Sequence, residues 1–61
     1  MINYKIGELI IFRNVLWKIL ERLYEEYYIL EVIELIDPKE EDKFYTIGHH
    51  YIFSEYELGM N

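Results

Sequence analysis

The stretch at 15–36, VLWKILERLYEEYYILEVIELI, holds most of the bulky apolar residues and most of the acid of the chain, so every other segment must pack against it. Two periodicities compete within it. As a helix over 15–27, Leu16, Ile19, Leu20, Leu23 and Tyr27 form one face and Lys18, Glu21, Arg22, Glu25 and Glu26 the other, with Asn14 placed as an N-cap. As strands, Val15, Trp17 and Ile19 alternate onto one side with Lys18, Leu20 and Arg22 mostly on the other, and Glu25-Glu26 makes a turn. The chain then runs back over 27–36, with Tyr28, Leu30 and Val32 on one face and Ile29, Glu31 and Ile33 on the other. Context favours the strands. A helix from Asn14 meets no terminator before Pro38, and it would take in Tyr27-Tyr28-Ile29 and Val32-Ile33, β-preferring clusters that leave no polar face after Glu26.

Sixty-one residues are expected to make one domain, 1–61, near the size at which a single core only just offsets the entropy of ordering the chain. With no cysteine there is neither a disulfide nor a thiolate zinc site to staple it. Packing must therefore supply the stability, and a chain that is 52% hydrophobic and 18% aromatic is equipped for it. Burying one large side chain contributes about 1.5 to 3 kcal/mol. Ten isoleucines, seven tyrosines and three phenylalanines, with no alanine or glutamine, are a palette suited to strands.

Around the central stretch the punctuation is regular. Gly7 suits a turn or a close backbone approach, 8–13 (ELIIFR) reads as a first strand, and Arg13-Asn14 closes it in a tight turn, since asparagine tolerates the left-handed conformation. The polar run DPKEEDK at 37–43 is a loop opened by proline. A fourth strand is expected at 44–47, interrupted by Gly48, with 49–53 a fifth or its continuation after a bulge. Ser54 followed by acids in SEYEL marks a short helical turn, and 59–61 a frayed tail.

This order of elements resembles the small SH3-like barrels of the KOW and Tudor-like kind. The resemblance rests on Ile6-Gly7-Glu8-Leu9-Ile10-Ile11-Phe12 followed by a two-residue turn, on two long strands meeting at an acidic hairpin, and on a last strand entering Ser54-Glu55-Tyr56-Glu57-Leu58. It implies an all-β, five-stranded SH3-like barrel with a short C-terminal helical turn; the alternative is an α+β fold with a helix at 15–27. It also implies a non-enzymatic binding module, of a kind whose short, acidic, cysteine-free examples are often carried by bacteriophages. The acidity departs from the nucleic-acid-binding members, and no aromatic cage of a methyl-lysine reader can be assigned.

The inventory of reactive groups is thin. Ser54 and Thr46 are the only hydroxyl amino acids besides tyrosine, which leaves little for a nucleophile, base and acid arrangement. His49 and His50 are neighbours, and neighbours on a strand point to opposite faces, so a shared metal would need further ligands such as Glu55 or Glu57. Glu25-Glu26 and Glu40-Glu41-Asp42 read as solvated turns, and the three glycines lie too far apart for a phosphate loop. No enzyme activity, cofactor or metal is expected.

Charge and aromatics point to a partner instead. The net charge is -6, and residues 21–42 alone carry -7. Such a surface repels phosphate backbones and favours basic partners. Tyr24, Tyr27, Tyr28, Tyr45, Tyr51, Tyr56 and Trp17 are more aromatics than so small a core can hide, and exposed tyrosine ringed by acid suits protein interfaces. The competing reading is that they cap the open ends of the barrel.

The expected function is an acidic protein-binding module, a phage-type modulator or inhibitor of a host protein, one form of which is DNA mimicry. Its partner-binding face is placed on Glu21, Glu25, Glu26, Tyr27, Tyr28, Glu31 and Glu34. Two other readings are nucleic-acid binding through Lys5, Arg13 and Lys18, disfavoured by six bases against twelve acids, and a homodimer formed through an exposed edge strand. The longest apolar runs, at 9–12 and 27–30, are far shorter than a membrane span, and no signal-peptide pattern follows Met1, so a cytoplasmic protein is expected.

Overall fold

The computed structural model describes residues 4–37 and 44–59. Four strands, β1 (Leu9–Phe12), β2 (Val15–Leu23), β3 (Tyr27–Leu35) and β4 (His50–Ser54), form one antiparallel sheet in the order β1-β2-β3-β4, and a helical turn, α1 (Glu55–Gly59), closes the described chain. The central stretch is thus a strand pair and not a helix over 15–27. Most of the polar loop expected at 37–43, and the last two residues of the expected tail, lie outside the described residues; Gly59 itself ends α1.

The alternation written in the sequence sets the two faces. Val15, Trp17 and Ile19 of β2 and Tyr28, Leu30 and Val32 of β3 are all fully buried, and with Phe12, Phe53 and Leu58 they make the core. Trp17 is its centre. Its ring stands edge-on to Tyr45, Tyr51 and Phe53 at centroid distances of 5.0, 5.7 and 5.2 Å, and its Nε1–H donates to the carbonyl of Phe12 at 2.8 Å, satisfying the one polar atom that burial would leave costly.

Two irregularities bend the long β2–β3 ladder. Leu16 pairs with Glu34 but Trp17 with Val32, leaving Ile33 unopposed on β3; Ile19 pairs with Leu30 but Glu21 with Ile29, leaving Leu20 unopposed on β2. An extra residue bends its strand and raises the local twist. The sheet curls until Phe12 on one edge strand and Phe53 on the other meet edge-on, centroids 5.1 Å apart.

The expected five-stranded barrel is met in part. Among the described residues there are four strands, and no ladder joins β1 to β4. The strand expected at 44–47 is not formed: the backbone turns there, His49 N–H donates to the carbonyl of Thr46, and Gly48 takes φ +88°. Phe44 and Ile47 are mostly exposed, so no buried face holds an alternation in place. Tyr45 instead lays its ring against Trp17 and Tyr51. The expected strand at 49–53 is found, shifted by one residue, as β4.

The β1–β2 turn follows expectation. Arg13 and Asn14 have φ of +54° and +59°, the two left-handed residues that a two-residue hairpin matched to strand twist demands. The Asn14 carbonyl also accepts from Ile36 N–H at 3.0 Å. Asn14→Val should cost about 1 to 2 kcal/mol, the left-handed penalty of a bulky residue, whereas Asn14→Gly should be neutral or stabilising. Urea midpoints of the two variants check this.

Candidate functional site

The outer face of the sheet is ordered in rows across the strands. Ile11, Leu16 and Glu34 form one row; Leu9, Lys18, Glu31 and His50 the next; Glu21, Ile29 and Ile52 a third; Leu23, Tyr27 and Ser54 the last, nearest the β2–β3 loop. Side chains opposite one another on a common face lie within contact range. Lys18, Glu31 and His50 therefore make a polar band with apolar side chains on both sides of it.

Beyond the last row the chain turns through Tyr24, Glu25 and Glu26, all exposed. Tyr24 is the most exposed large hydrophobic side chain among the described residues, at 88%, and its backbone is left-handed at φ +59°. A bulky residue in that region is strained. Arg22 braces the loop from the inner side: its Nε–H donates to the carbonyl of Glu25 at 3.1 Å, a second donor, Nη2, reaches the same oxygen, and the guanidinium lies 5.5 Å over the Tyr28 ring. Glu55 stands 3.9 Å from it, and Glu55 N–H donates to the carbonyl of Glu26 at 2.7 Å, joining the loop to α1.

The seven residues expected to form the partner face divide three ways. Glu21, Tyr27, Glu31 and Glu34 lie on the outer face, with Tyr27 41% exposed and Glu31 half-buried between Lys18 and His50. Glu25 and Glu26 form the tip of the hairpin. Tyr28 does not belong: it is fully buried, because a strand sends successive side chains to opposite faces and Tyr27 takes the outer one. The aromatic that the fold exposes beside the acidic turn is Tyr24.

The remaining candidates are structural in their contacts. The Ser54 hydroxyl accepts from Glu57 N–H at 3.1 Å while Glu57 Oε1 accepts from Ser54 N–H at 3.1 Å, a reciprocal capping box that starts α1. His49 and His50 are both exposed, and among the described residues no group of three acids or imidazoles is placed to hold a metal. Arg13 lies over the Phe12 and Phe53 rings at 4.8 and 5.3 Å, donates to the Tyr45 hydroxyl at 3.2 Å, and faces Glu57 at 3.6 Å. Tyr4 packs edge-on against Tyr28, and burial, with lesser repulsion from Glu8 and Tyr28, pushes its phenol above the ordinary value. Of the other tyrosines, Tyr56 is 75% exposed while Tyr45 and Tyr51 pack against Trp17, so the surplus of aromatics serves both surface and core.

No helix among the described residues is long and apolar enough to cross a membrane. Comparison with protein-family models, with characterised proteins and with solved structures finds no match to this chain.

Proposed function

We propose that the protein is a non-enzymatic binding module of SH3-like type that takes a protein partner with a basic surface, through the β2–β3 hairpin tip and the adjoining outer face. The observation that carries this is Tyr24, 88% exposed and held left-handed between Leu23 and the Glu25-Glu26 pair. Glycine or asparagine would meet the left-handed turn at less cost than tyrosine, and residues held in disfavoured backbone regions cluster at functional sites. A rigid tyrosine beside charge is also the common anchor of protein interfaces. The curled sheet, whose two edge strands meet through Phe12 and Phe53, supports the SH3-like reading. Acid on Glu21, Glu25, Glu26, Glu31 and Glu34 supports a basic partner, and its densest form would be mimicry of DNA phosphates by a phage-type inhibitor working in the cytoplasm.

The test is capture from a cell lysate by the immobilised protein. Proteins should be retained at low salt and released at moderate salt, and Tyr24→Ser combined with Glu25→Gln and Glu26→Gln should abolish retention while leaving the melting temperature within a few degrees. Double-stranded DNA should displace the captured protein if mimicry operates. Retention that is unchanged in the triple variant, or absent from the parent protein, would count against the reading.

A further inference from the structure

The outer face carries more apolar side chain than a surface needs. Leu23, Tyr27, Ile29 and Ile52 occupy the two rows nearest the hairpin tip, with the unopposed Leu20 beside them; Ile52 is 58% and Tyr27 41% exposed, the other three are half-buried, and none belongs to the core cluster. The bulge at Leu20 has a part in this. By adding one residue to β2 it places Leu20 and Glu21 in succession while Ile19 and Arg22 keep their pairing with Leu30 and Tyr28 on the inner face. Strict alternation after Ile19 would turn Leu23 inward; the extra residue sends it to the outer surface and Arg22 to the inner one.

The rim of this patch is acidic. Glu21 shares its rows and Glu25 and Glu26 close it at the loop, while the bordering row sets Glu31 between Lys18 and His50, so acids outnumber bases around it. β3, which carries Tyr27 and Ile29 at the centre of the patch, is paired over those residues on both sides, with β2 and with β4. A strand added at a sheet edge would leave this centre uncovered, so what lies over it must be read through side chains, as an amphipathic helix is. A second copy of the chain is a poor occupant, since it brings a net charge of -6 and the same acidic rim to face its own.

We infer that this patch seats an amphipathic helix of the partner protein whose apolar stripe is flanked by lysine or arginine. The inference rests on the protein-binding reading above and names the chemistry of the partner. A helix about 10 Å wide covers two inter-strand spacings, the span from β2 to β4.

The probe is a synthetic peptide of about 18 residues, built of leucine and lysine with the leucines on one helical face, beside a scrambled peptide of the same composition. The full chain should bind the patterned peptide with a gain of helical circular dichroism, and the scrambled one about tenfold more weakly or less. Ile29→Thr with Ile52→Thr, which keeps the strand preference of both positions, should weaken binding about tenfold or more without shifting the thermal melt by more than a few degrees. Methyl shifts on the parent protein should centre on Leu20, Leu23, Ile29 and Ile52. Equal binding of both peptides, no binding at all, insensitivity to the double substitution, or an Ile52-dependent dimer in sedimentation would each overturn it. If the Tyr24-dependent capture from lysate persists while the patterned peptide does not bind, the helix inference fails and the protein-binding reading stands.

Discussion

Trp17→Ala is expected to unfold the domain. Trp17 is fully exposed to no solvent, touches the rings of Tyr45, Tyr51 and Phe53, and ties its indole to the Phe12 carbonyl, so its removal takes away the largest buried surface and the pin between β1 and β2 together. Truncating a buried tryptophan costs about 3 to 5 kcal/mol, which is most or all of what so small a domain has to spare. The parent should show blue-shifted tryptophan emission and a cooperative melt; Trp17→Ala should show no melting transition and lost near-ultraviolet dichroism. Trp17→Phe separates the two contributions, since it keeps a ring in the cluster while leaving the Phe12 carbonyl without this partner. Its loss should be smaller, about 1 to 3 kcal/mol. A melt of Trp17→Ala within a few degrees of the parent would remove the indole from the centre of the core.

Tyr28→Ala should be nearly as damaging, again by about 3 to 5 kcal/mol, because the ring is fully buried, packs edge-on against Tyr4 at 5.6 Å and carries Arg22 on its face. The conservative variant makes the informative contrast. The Tyr28 hydroxyl is buried and has no hydrogen-bond partner among the described residues, so Tyr28→Phe removes a group whose desolvation is uncompensated and should be neutral or stabilising by up to about 1 kcal/mol. Partner capture should survive Tyr28→Phe unchanged, as a residue turned to the core requires, while the triple substitution at the hairpin tip abolishes it. Chemical denaturation of the two variants beside the capture assay is the measurement. A Tyr28→Phe protein that is fully stable yet binds nothing would return Tyr28 to the partner face.

The assignment of Tyr28 shows how near the sequence comes to a site and where it stops. Composition puts five acids and Tyr27 on the expected face, and they lie on the outer face or the hairpin tip, Glu31 half-buried. Tyr28 does not stay on that face, because the alternation that puts Leu30 and Val32 inside puts Tyr28 inside too. The exposure of Tyr24 depends on how the loop turns, and a left-handed tyrosine is not what residue preferences lead one to expect. The apolar outer patch is legible only in part: alternation from Ile19 sends Leu20 to that face, but Leu23 reaches it only through the bulge at Ile19–Glu21, which turns Arg22 inward.

What the sequence by itself determined is the local grammar: β-branched and aromatic clusters that refuse a helix after Glu26, asparagine in a left-handed turn, alternation that selects Val15, Trp17, Ile19, Leu30 and Val32 for the core, and a serine with glutamate three residues on that starts a helical turn. Each is settled by neighbours within a few residues. Only the tertiary structure decided the rest. The bulges, the meeting of Phe12 with Phe53, and the conversion of 44–47 from an expected strand into a turn that lays Tyr45 over Trp17 depend on side chains far apart in the chain. A local run of four residues, FYTI, has the composition of a strand, but with Phe44 and Ile47 facing water and one tyrosine drawn into the aromatic cluster, burial of Tyr45 outweighs the weak preference of its neighbours.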